Sequence, residues 1–471
     1  MTDTLMVGVS GVRGIVGKDL TAEVVTQWAR GFGLWLREGT SPGGPGPGTS
    51  VAIGRDARTS GPMFAAAVTA GLTSVGCDVI DIGLVPTPTV QLAVEHHRAG
   101  GGIAITASHN PIEWNALKFI GPDGIFLDGT DGARVAQLAA GPAESGKREI
   151  LKDSLAVAGK VTTDPSAVER HLDAVLKLPA VDVEQIRKRK FTVALDAVRG
   201  AGGPVMRALL ERLGCEVAGI NLETDGHFPR SPEPVPENLG GLSTLVIRAG
   251  AALGIAVDPD VDRLAIVDET GTPIGEDYTL AFAVRAVLDG KREAPNGKRV
   301  VVCNLSTSLV VEDAARECGA EVVRTPVGEV HVARAIVRLG AVIGGEGNGG
   351  VMYPALHAGR DAPVAAALLL TLLARDGRPV SELVAAAPRY AIVKAKAARG
   401  AALEPVYAAL RRRFVDAQVD TQDGLRLAWR DRWLHVRPSN TEPIIRLIAE
   451  APSGAGAQEL VDEARRICAA S

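Results

Sequence analysis

Three aspartates, Asp258, Asp260 and Asp262, stand at alternate positions in the stretch DPDVDR, directly after the apolar run LGIAV. Carboxylates this close repel one another unless a cation neutralises them. Hard oxygen ligands of this kind suit Mg2+, which keeps room for water or a phosphate oxygen. The plainer alternative is a solvated acidic turn. A calcium loop of the EF-hand sort is disfavoured, because no glycine and distal glutamate follow at its spacing. Position favours the metal, since open parallel sheets bind ligands beyond the carboxyl ends of their strands. Arg263, the next residue, either neutralises phosphate charge or pairs with one of the aspartates.

A second cluster, TASHNP at 106–111, sets Ser108 beside His109 just after GIAI. Adjacent residues rarely make a nucleophile and base, whose partners usually come from separate parts of a fold. There is no G-x-S-x-G elbow and no G-x-x-x-x-G-K-[ST] cradle. The everyday uses of such a serine are a helix N-cap or a turn. His109 alone reads as structural, Lys118 as a solvated charge and Arg13 in GVSGVRG as a turn arginine. Beside a Mg2+ site, however, a serine hydroxyl is suited to carrying a phosphoryl group, because the cation offsets charge on the transferring oxygens.

Two further loops are polar in a similar way. GGEGNGGVMYP (344–354) surrounds Glu346 and Asn348 with glycines. Such a loop lets backbone approach a ligand while a carboxylate and an amide read sugar hydroxyls or an amine; a merely flexible loop is an equal alternative. RPSNTEP (437–443), with Arg446 nearby, offers guanidinium, hydroxyl and backbone donors to phosphate oxygens. On these residues alone an ordinary Ser/Asn/Thr turn is the slightly better reading.

The elements that must position these loops repeat along the chain. SVAIGRDARTS (50–60), FTVALDAVRGAGG (191–203) and RVVVCNLSTS (299–308) each read as a strand feeding a helix, ending in a glycine turn into another strand. These are βαβ units, which imply parallel sheets with helices on both faces, and three in order imply duplication. Each repeat adds a further strand that ends in one of the polar clusters at Ser108, Asp258 or Glu346. From about Pro388 the pattern changes to strands, a hairpin around Trp429–Trp433 and a closing helix. The expected domains are 1–155, 156–270, 271–387 and 388–471, and the run at 40–50 is an exposed loop within the first.

Length and composition agree with this plan. A chain of 471 residues divides into about three or four domains. A net charge of −4 argues against a general nucleic-acid binder while leaving room for local basic sites. Five widely spaced cysteines form no zinc pattern, and a reduced, cytoplasmic protein is the simplest reading. The start lacks a signal-peptide pattern, and APVAAALLLTLLA (362–374) is short for a membrane span and fits a buried helix. No membrane association is expected.

SGVRG, TASHNP with NALKF, DPDVDRL, GEGNGG and RPSNTEPIIRL, in that order, closely resemble the α-D-phosphohexomutases over the whole chain. The resemblance implies three related α/β domains with mixed, mostly parallel sheets and a smaller C-terminal α+β domain, around a central cleft. It implies a phosphoserine at Ser108 and Mg2+ held by Asp258, Asp260, Asp262 and a phosphoserine oxygen. Arg13, His109, Lys118 and Arg263 would surround the reacting phosphate, and Glu346 and Asn348 would contact the sugar. Arg437, Ser439, Asn440, Thr441 and Arg446 would grip the other phosphate. A hexose 1,6-bisphosphate would activate the enzyme by phosphorylating Ser108. The ligand would be a small phosphosugar, and the chain a monomer or homodimer.

Two departures bear on the sugar. Where members acting on mannose or glucose phosphates often carry Gly-His, this chain has TPVGEVHV with Glu329, and His331 follows two residues later. The sugar loop reads GEGNGG in place of GE-x-S. Both resemble phosphoglucosamine mutase-like members and point to glucosamine 6-phosphate and glucosamine 1-phosphate. The rivals are a mannose or glucose phosphate mutase, a phosphotransferase forming hexose 1,6-bisphosphates, a metal-dependent phosphatase and a non-catalytic binder.

Overall fold

Runs such as GGIAI and LGIAV lack polar alternation, and in the computed structural model both are central strands buried along their whole length. The structure describes residues 5–8, 11–39, 49–141, 158–288, 299–398, 402–439 and 444–470. The run at 40–50 lies almost wholly outside them. Among the described residues the strands form four sheets.

The first sheet holds β1 (Met6–Gly8), β2 (Gly11–Ile15), β3 (Ser50–Arg55), β4 (Asp78–Leu84), β5 (Gly101–Ile105), β6 (Trp114–Ile120) and β7 (Val161–Thr163), in the order β1-β2-β6-β5-β3-β4-β7. The second holds β8 (Thr192–Asp196), β9 (Glu216–Ile220), β10 (Leu253–Val257) and β11 (Leu264–Val267), ordered β11-β10-β8-β9. The third holds β12 (Val300–Asn304), β13 (Glu321–Thr325), β14 (Ile343–Glu346) and β15 (Gly350–Met352), ordered β13-β12-β14-β15.

One pattern recurs inside all three. Two parallel strands are joined by a helix (Gly61–Thr73, Gly202–Arg212 or Leu309–Glu317), as in β3–β4, β8–β9 and β12–β13. A second helix (Thr87–His97, Gly240–Ala249 or Glu329–Leu339) leads to a third strand, which joins the first in parallel from the other side. The fourth strand then turns back antiparallel. The polar clusters at Ser108, Asp258 and Asn348 all occupy that turn from third to fourth strand. The repeated pattern therefore puts three different polar clusters at one equivalent loop.

The second and third units share an apolar core. Into it packs the helix Ala362–Asp376, which is apolar nearly all round and buried accordingly. Its N-terminus is set by Asp361, whose side chain accepts from Val364 N at 2.9 Å. The first unit has cores of its own, and so does the last. None of the five cysteines forms a disulfide, and no described helix is long and apolar enough to cross a membrane.

The C-terminal unit is an antiparallel sheet of β16 (Ala391–Ala398), β17 (Gln418–Asp420), β18 (Leu425–Ala428), β19 (Trp433–Pro438) and β20 (Ile444–Ala451), ordered β16-β20-β19-β18-β17. Leu434, Val436, Ile445 and Leu447 pack on the helices Glu404–Arg413 and Gly454–Ala470. Strand alternation puts Trp433, His435 and Arg437 on the opposite face, where Arg437 pairs across the strands with Arg446. That face meets the third unit. His435 Nδ1 lies 2.8 Å from Ser306 Oγ, and Glu450 accepts from Leu309 N at 2.8 Å.

Candidate active site

β5 delivers Thr106 and then Ser108. Thr106 Oγ1 accepts from Ser108 N at 2.9 Å and donates to Asp56 Oδ2 at 2.7 Å. Ser108 has a left-handed backbone, φ +49°, which costs a non-glycine residue on the order of 1–2 kcal/mol. Arg58 offsets that strain. Its buried guanidinium donates to the carbonyls of Ser108 (2.6 Å), Asn110 (2.7 Å), Pro111 (2.6 Å) and Trp114 (2.9 Å), and Asp56 Oδ2 holds its Nε at 3.1 Å. The loop is thereby fixed from behind and the hydroxyl faces the second unit. Ser108 Oγ donates to Asp258 Oδ2 at 2.8 Å and lies 3.3 Å from His109 Nδ1.

Each aspartate of the second unit's loop has an oxygen engaged by the protein. Asp258 Oδ1 accepts from the backbone N–H groups of Asp262 and Arg263, both at 3.2 Å. Asp260 Oδ2 accepts from Lys118 Nζ at 2.7 Å and Thr87 Oγ1 at 2.8 Å. Asp262 Oδ2 accepts from Arg360 Nη2 at 2.6 Å. Asp260 Oδ1 and Asp262 Oδ1 are buried without a hydrogen-bond partner among the described residues, although Arg263 Nε approaches the latter to 3.7 Å. One oxygen from each aspartate lies within 4.8 Å of the others. Buried, unsatisfied carboxylate oxygens are costly, and this set fits a hard divalent cation. Val261, between two of the aspartates, is left-handed as well (φ +61°), a strained state for a β-branched residue.

Charge is distributed unevenly around this point. Burial and the neighbouring Asp260 and Asp262 push the Asp258 carboxyl well above its usual range. Burial acts most strongly against Asp260, but the Lys118 ammonium and the hydrogen bonds from Asp258, Lys118 and Thr87 together outweigh it and hold that carboxyl below the ordinary range. Burial would discharge Lys118, yet Asp260 and Asp262 raise it overall. The Arg263 guanidinium, burial and Arg13 together push His109 well below the usual imidazole range, so the ring is neutral at pH 7. Arg13 Nη1 donates to Asn110 Oδ1 at 2.7 Å, and Arg263 Nη1 lies 3.6 Å from Glu233 Oε1.

In the third unit Glu346 accepts from Asn304 Nδ2 at 2.8 Å, Gly328 N at 3.1 Å, Arg360 Nη1 at 3.1 Å and Asn348 Nδ2 at 3.4 Å. The glycines of this loop fit it against the protein itself. Gly349 has φ +86°, and a Cβ there would lie 2.4 Å from the Leu264 carbonyl oxygen. Glu329 is tied to Arg360, with Oε2 3.0 Å from Nε and Oε1 accepting from Arg360 N at 3.2 Å. It is an ion-paired acid and not a free one.

On the C-terminal sheet Arg437 Nε lies 2.9 Å from Asp423 Oδ2, which accepts from Val327 N at 3.1 Å. Ser439 N donates to Ile444 O at 2.9 Å. Arg437 and Arg446 face one another across β19 and β20, and Lys396 faces Arg446 from β16. Adjacent cations on one sheet face repel, which suits an anion there. Asn440 and Thr441 lie outside the described residues.

Four family models cover nearly the whole chain. They are phosphoglucomutase/phosphomannomutase alpha/beta/alpha domain I (residues 4–144), domain II (169–271) and domain III (275–390), and the C-terminal domain (390–467). The chain belongs to the phosphoglucomutase/phosphomannomutase family. A Methanopyrus kandleri relative named "Probable phosphoglucosamine mutase" is 40% identical over 97% of this chain and 96% of its own. A Thermococcus kodakarensis relative named "Phosphoglucomutase/phosphomannomutase" is 38% identical over 97% and 96%. The crystal structure of a phosphoglucomutase/phosphomannomutase family protein from Burkholderia thailandensis superposes with a TM-score of 0.84 at 27% identity, covering 99% of this chain and 97% of that one.

As a member of this phosphohexomutase family the chain is an enzyme, an isomerase that works as an intramolecular phosphotransferase. Two arginines of the site had little signal in the sequence. Arg58 sits in GRDARTS and Arg360 in HAGRDAP, and most of their partners lie far along the chain. The recurrent Arg-Asp dipeptide is the one local hint, since Asp56 pairs with Arg58 while Asp361 caps the helix beside Arg360.

Proposed function

We propose that this family member interconverts hexose 6-phosphates and hexose 1-phosphates through a phosphoserine at Ser108, with glucosamine 6-phosphate to glucosamine 1-phosphate as its principal reaction. The observation that carries this reading is the 2.8 Å bond from Ser108 Oγ to Asp258, inside a loop with two further unsatisfied carboxylate oxygens. A hydroxyl so placed can carry a phosphoryl group and is poorly arranged for attack on an acyl carbon.

Phosphoserine 108 transfers its phosphoryl group to O1 of the hexose 6-phosphate. The Oγ–P bond breaks, a P–O1 bond forms, and the sugar hydroxyl proton passes to a basic group nearby. The resulting 1,6-bisphosphate turns over in the site. The 6-phosphoryl group then passes to Ser108 Oγ: the O6–P bond breaks, an Oγ–P bond forms, and O6 takes back the proton from the basic group, leaving the 1-phosphate. Asp258, Asp260, Asp262 and a serine-borne oxygen would hold Mg2+, which would supply charge neutralisation for the transferring group. Arg13, His109, Lys118 and Arg263 surround that group, with Lys118 acting as a fixed positive charge. Glu346 and Asn348 read the sugar, and Arg437, Ser439, Asn440, Thr441 and Arg446 hold the other phosphate. A hexose 1,6-bisphosphate charges a dephosphorylated Ser108.

Glucosamine is supported by the name of the Methanopyrus kandleri relative and by charge. Glu329 and Glu346 are both ion-paired to Arg360, which sets two carboxylates on one guanidinium beside the sugar loop. A second reading, glucose or mannose phosphate, is favoured by the commitment of Glu329 to Arg360 and by the Thermococcus kodakarensis relative.

The test is 31P NMR with Mg2+, a trace of glucose 1,6-bisphosphate and glucosamine, mannose or glucose 6-phosphate. Interconversion without release of inorganic phosphate is expected, with the highest kcat/KM for glucosamine 6-phosphate, and with conversion abolished in Ser108→Ala. Steady phosphate release, or a fully active Ser108→Ala enzyme, would sink the reading.

A further inference from the structure

Arg360 contacts acids from three places. Its Nη2 reaches Asp262 Oδ2 of the aspartate loop at 2.6 Å, its Nη1 reaches Glu346 Oε2 of the sugar loop at 3.1 Å, and its Nε lies 3.0 Å from Glu329 Oε2 at the start of the helix Glu329–Leu339. The guanidinium is almost fully buried. These partners are 98, 14 and 31 residues away, so one planar fork joins the second unit to two separate turns of the third.

The backbone beside it is anchored independently. Asp361 caps the helix Ala362–Asp376, and its Oδ2 lies 2.8 Å from His171 Nε2 and 2.9 Å from His357 Nε2. His171 Nδ1 in turn meets Thr89 Oγ1 at 2.8 Å. The second and third α/β units thus hold Asp361 directly, and the first supports it through His171. Room for the arginine stem comes from Gly350, where a Cβ would lie 2.2 Å from Arg360 Cδ.

At Asp262 the consequence is directional. Arg360 occupies Oδ2, while Oδ1 is the oxygen left buried without a hydrogen-bond partner among the described residues. A donor that engages one carboxylate oxygen fixes the orientation in which the other can ligate a cation. The same guanidinium orients Glu346, which stands beside Asn348 in the sugar loop.

We propose that Arg360 is a positioning residue shared by the cation loop and the sugar loop: it aims Asp262 Oδ1 at the divalent cation and holds Glu346 and Glu329 in the geometry that reads the sugar. The sugar half rests on the mutase reading above. The cation half does not.

The test measures Mn2+ binding by electron paramagnetic resonance in wild type, Arg360→Gln and Arg360→Lys, without sugar and without turnover. Arg360→Gln should bind Mn2+ roughly 10–100-fold more weakly, the range for loss of a partner that orients a metal ligand. Arg360→Lys, which keeps the charge but not the fork, should fall between them. At saturating Mg2+, KM for the hexose phosphate should rise about fivefold or more in Arg360→Gln, a further effect of the kind that loss of a positioning contact produces. Mn2+ affinity within twofold of wild type overturns the proposal, and weakened Mn2+ binding with an unchanged KM overturns the shared role. Should Arg360→Gln not fold, Arg360→Lys carries the same criteria, with at least a threefold loss of Mn2+ affinity expected and parity overturning it. If no sugar is interconverted by wild type, the mutase reading fails while the Mn2+ comparison still decides the cation half.

Discussion

Arg58 Nη2 donates to the main-chain carbonyl of Ser108 at 2.6 Å, although the two residues are 50 positions apart. The same side chain is fully buried and paired with Asp56. Removing one partner of a buried ion pair strands the other charge and typically costs about 3–5 kcal/mol. Arg58→Met should therefore lower stability by about that much in urea unfolding and reduce turnover as well. The double variant Asp56→Asn/Arg58→Met should be destabilised by less than the sum of the single changes, because no buried charge is left unpaired. Additive effects would mean that the pair is not a unit.

Asp277 lies beside the sugar loop and accepts from Ser308 N at 2.9 Å. Burial, with help from Glu450, pushes its carboxyl up to about 7. Between the ordinary value and about 7 the folded state keeps a proton that the unfolded chain has lost. Stability from this group is complete at low pH and declines as pH rises through that window. Asp277→Asn keeps an acceptor for Ser308 N and cannot ionise. Its melting temperature should match wild type near pH 4 and exceed it at pH 8, by a margin equivalent to about 2 kcal/mol or more. A constant offset at every pH would count against the titration.

What could be read from the chain alone follows from how local the signal was. The three aspartates stand on one short loop, so their alternation after an apolar strand was visible at once. The βαβ plan was visible because each copy repeats the same strand, helix and glycine turn, and the structure shows one strand order in all three units. Arg58 and Arg360 were silent, since a single arginine has no spacing and most of their partners come from distant turns, for Arg58 within its own unit and for Arg360 including Asp262 of the second unit. The glycines around Glu346 left flexibility and close approach equally open. The structure resolves this physically, because Gly349 and Gly350 pack against Leu264 and Arg360. Glu329 was visible as an acid, but its pairing with Arg360 was not. The helix Glu404–Arg413 also went unread, being rich in arginine and poor in large apolar residues.

His435 ties the C-terminal sheet to the third unit. Its Nε2 lies 2.7 Å from the Asp423 carbonyl oxygen and its Nδ1 lies 2.8 Å from Ser306 Oγ, an arrangement that a neutral ring satisfies as donor and acceptor. Burial lowers the imidazole from 6.5 to about 4. As pH falls through this window the unfolded chain takes up a proton that the folded one refuses. Stability from this group is complete above about 6.5 and is lost on the way down to about 4, on the order of 3 kcal/mol in all. In urea unfolding from pH 7.5 to 4.5, His435→Gln should show a shallower acid decline than wild type by about that amount. Parallel declines would rule the histidine out as the source.

Glu329 gives the sharpest test of the sugar. Its carboxylate is spoken for by Arg360, but Arg360 is also shared with Glu346 and Asp262, the last of which has Lys118 and Arg263 nearby as well. Under the proposed assignment of Asp262 to the divalent ion, Glu329 and Glu346 stand on one guanidinium, a local excess of negative charge that Lys118 and Arg263 act on less directly. An ammonium on the substrate would be attracted by that excess, whereas a hydroxyl gains little from it. Glu329→Gln removes the charge and keeps the size of the side chain. The ratio of kcat/KM for glucosamine 6-phosphate to that for glucose 6-phosphate should then fall about tenfold, equivalent to about 1.4 kcal/mol, with the glucose value itself changing by less than about threefold. If both substrates lose activity equally, the Glu329–Arg360 pair is scaffold only. If the ratio is unchanged and glucose 6-phosphate is already preferred by wild type, the amino-sugar assignment falls, and the second reading takes its place.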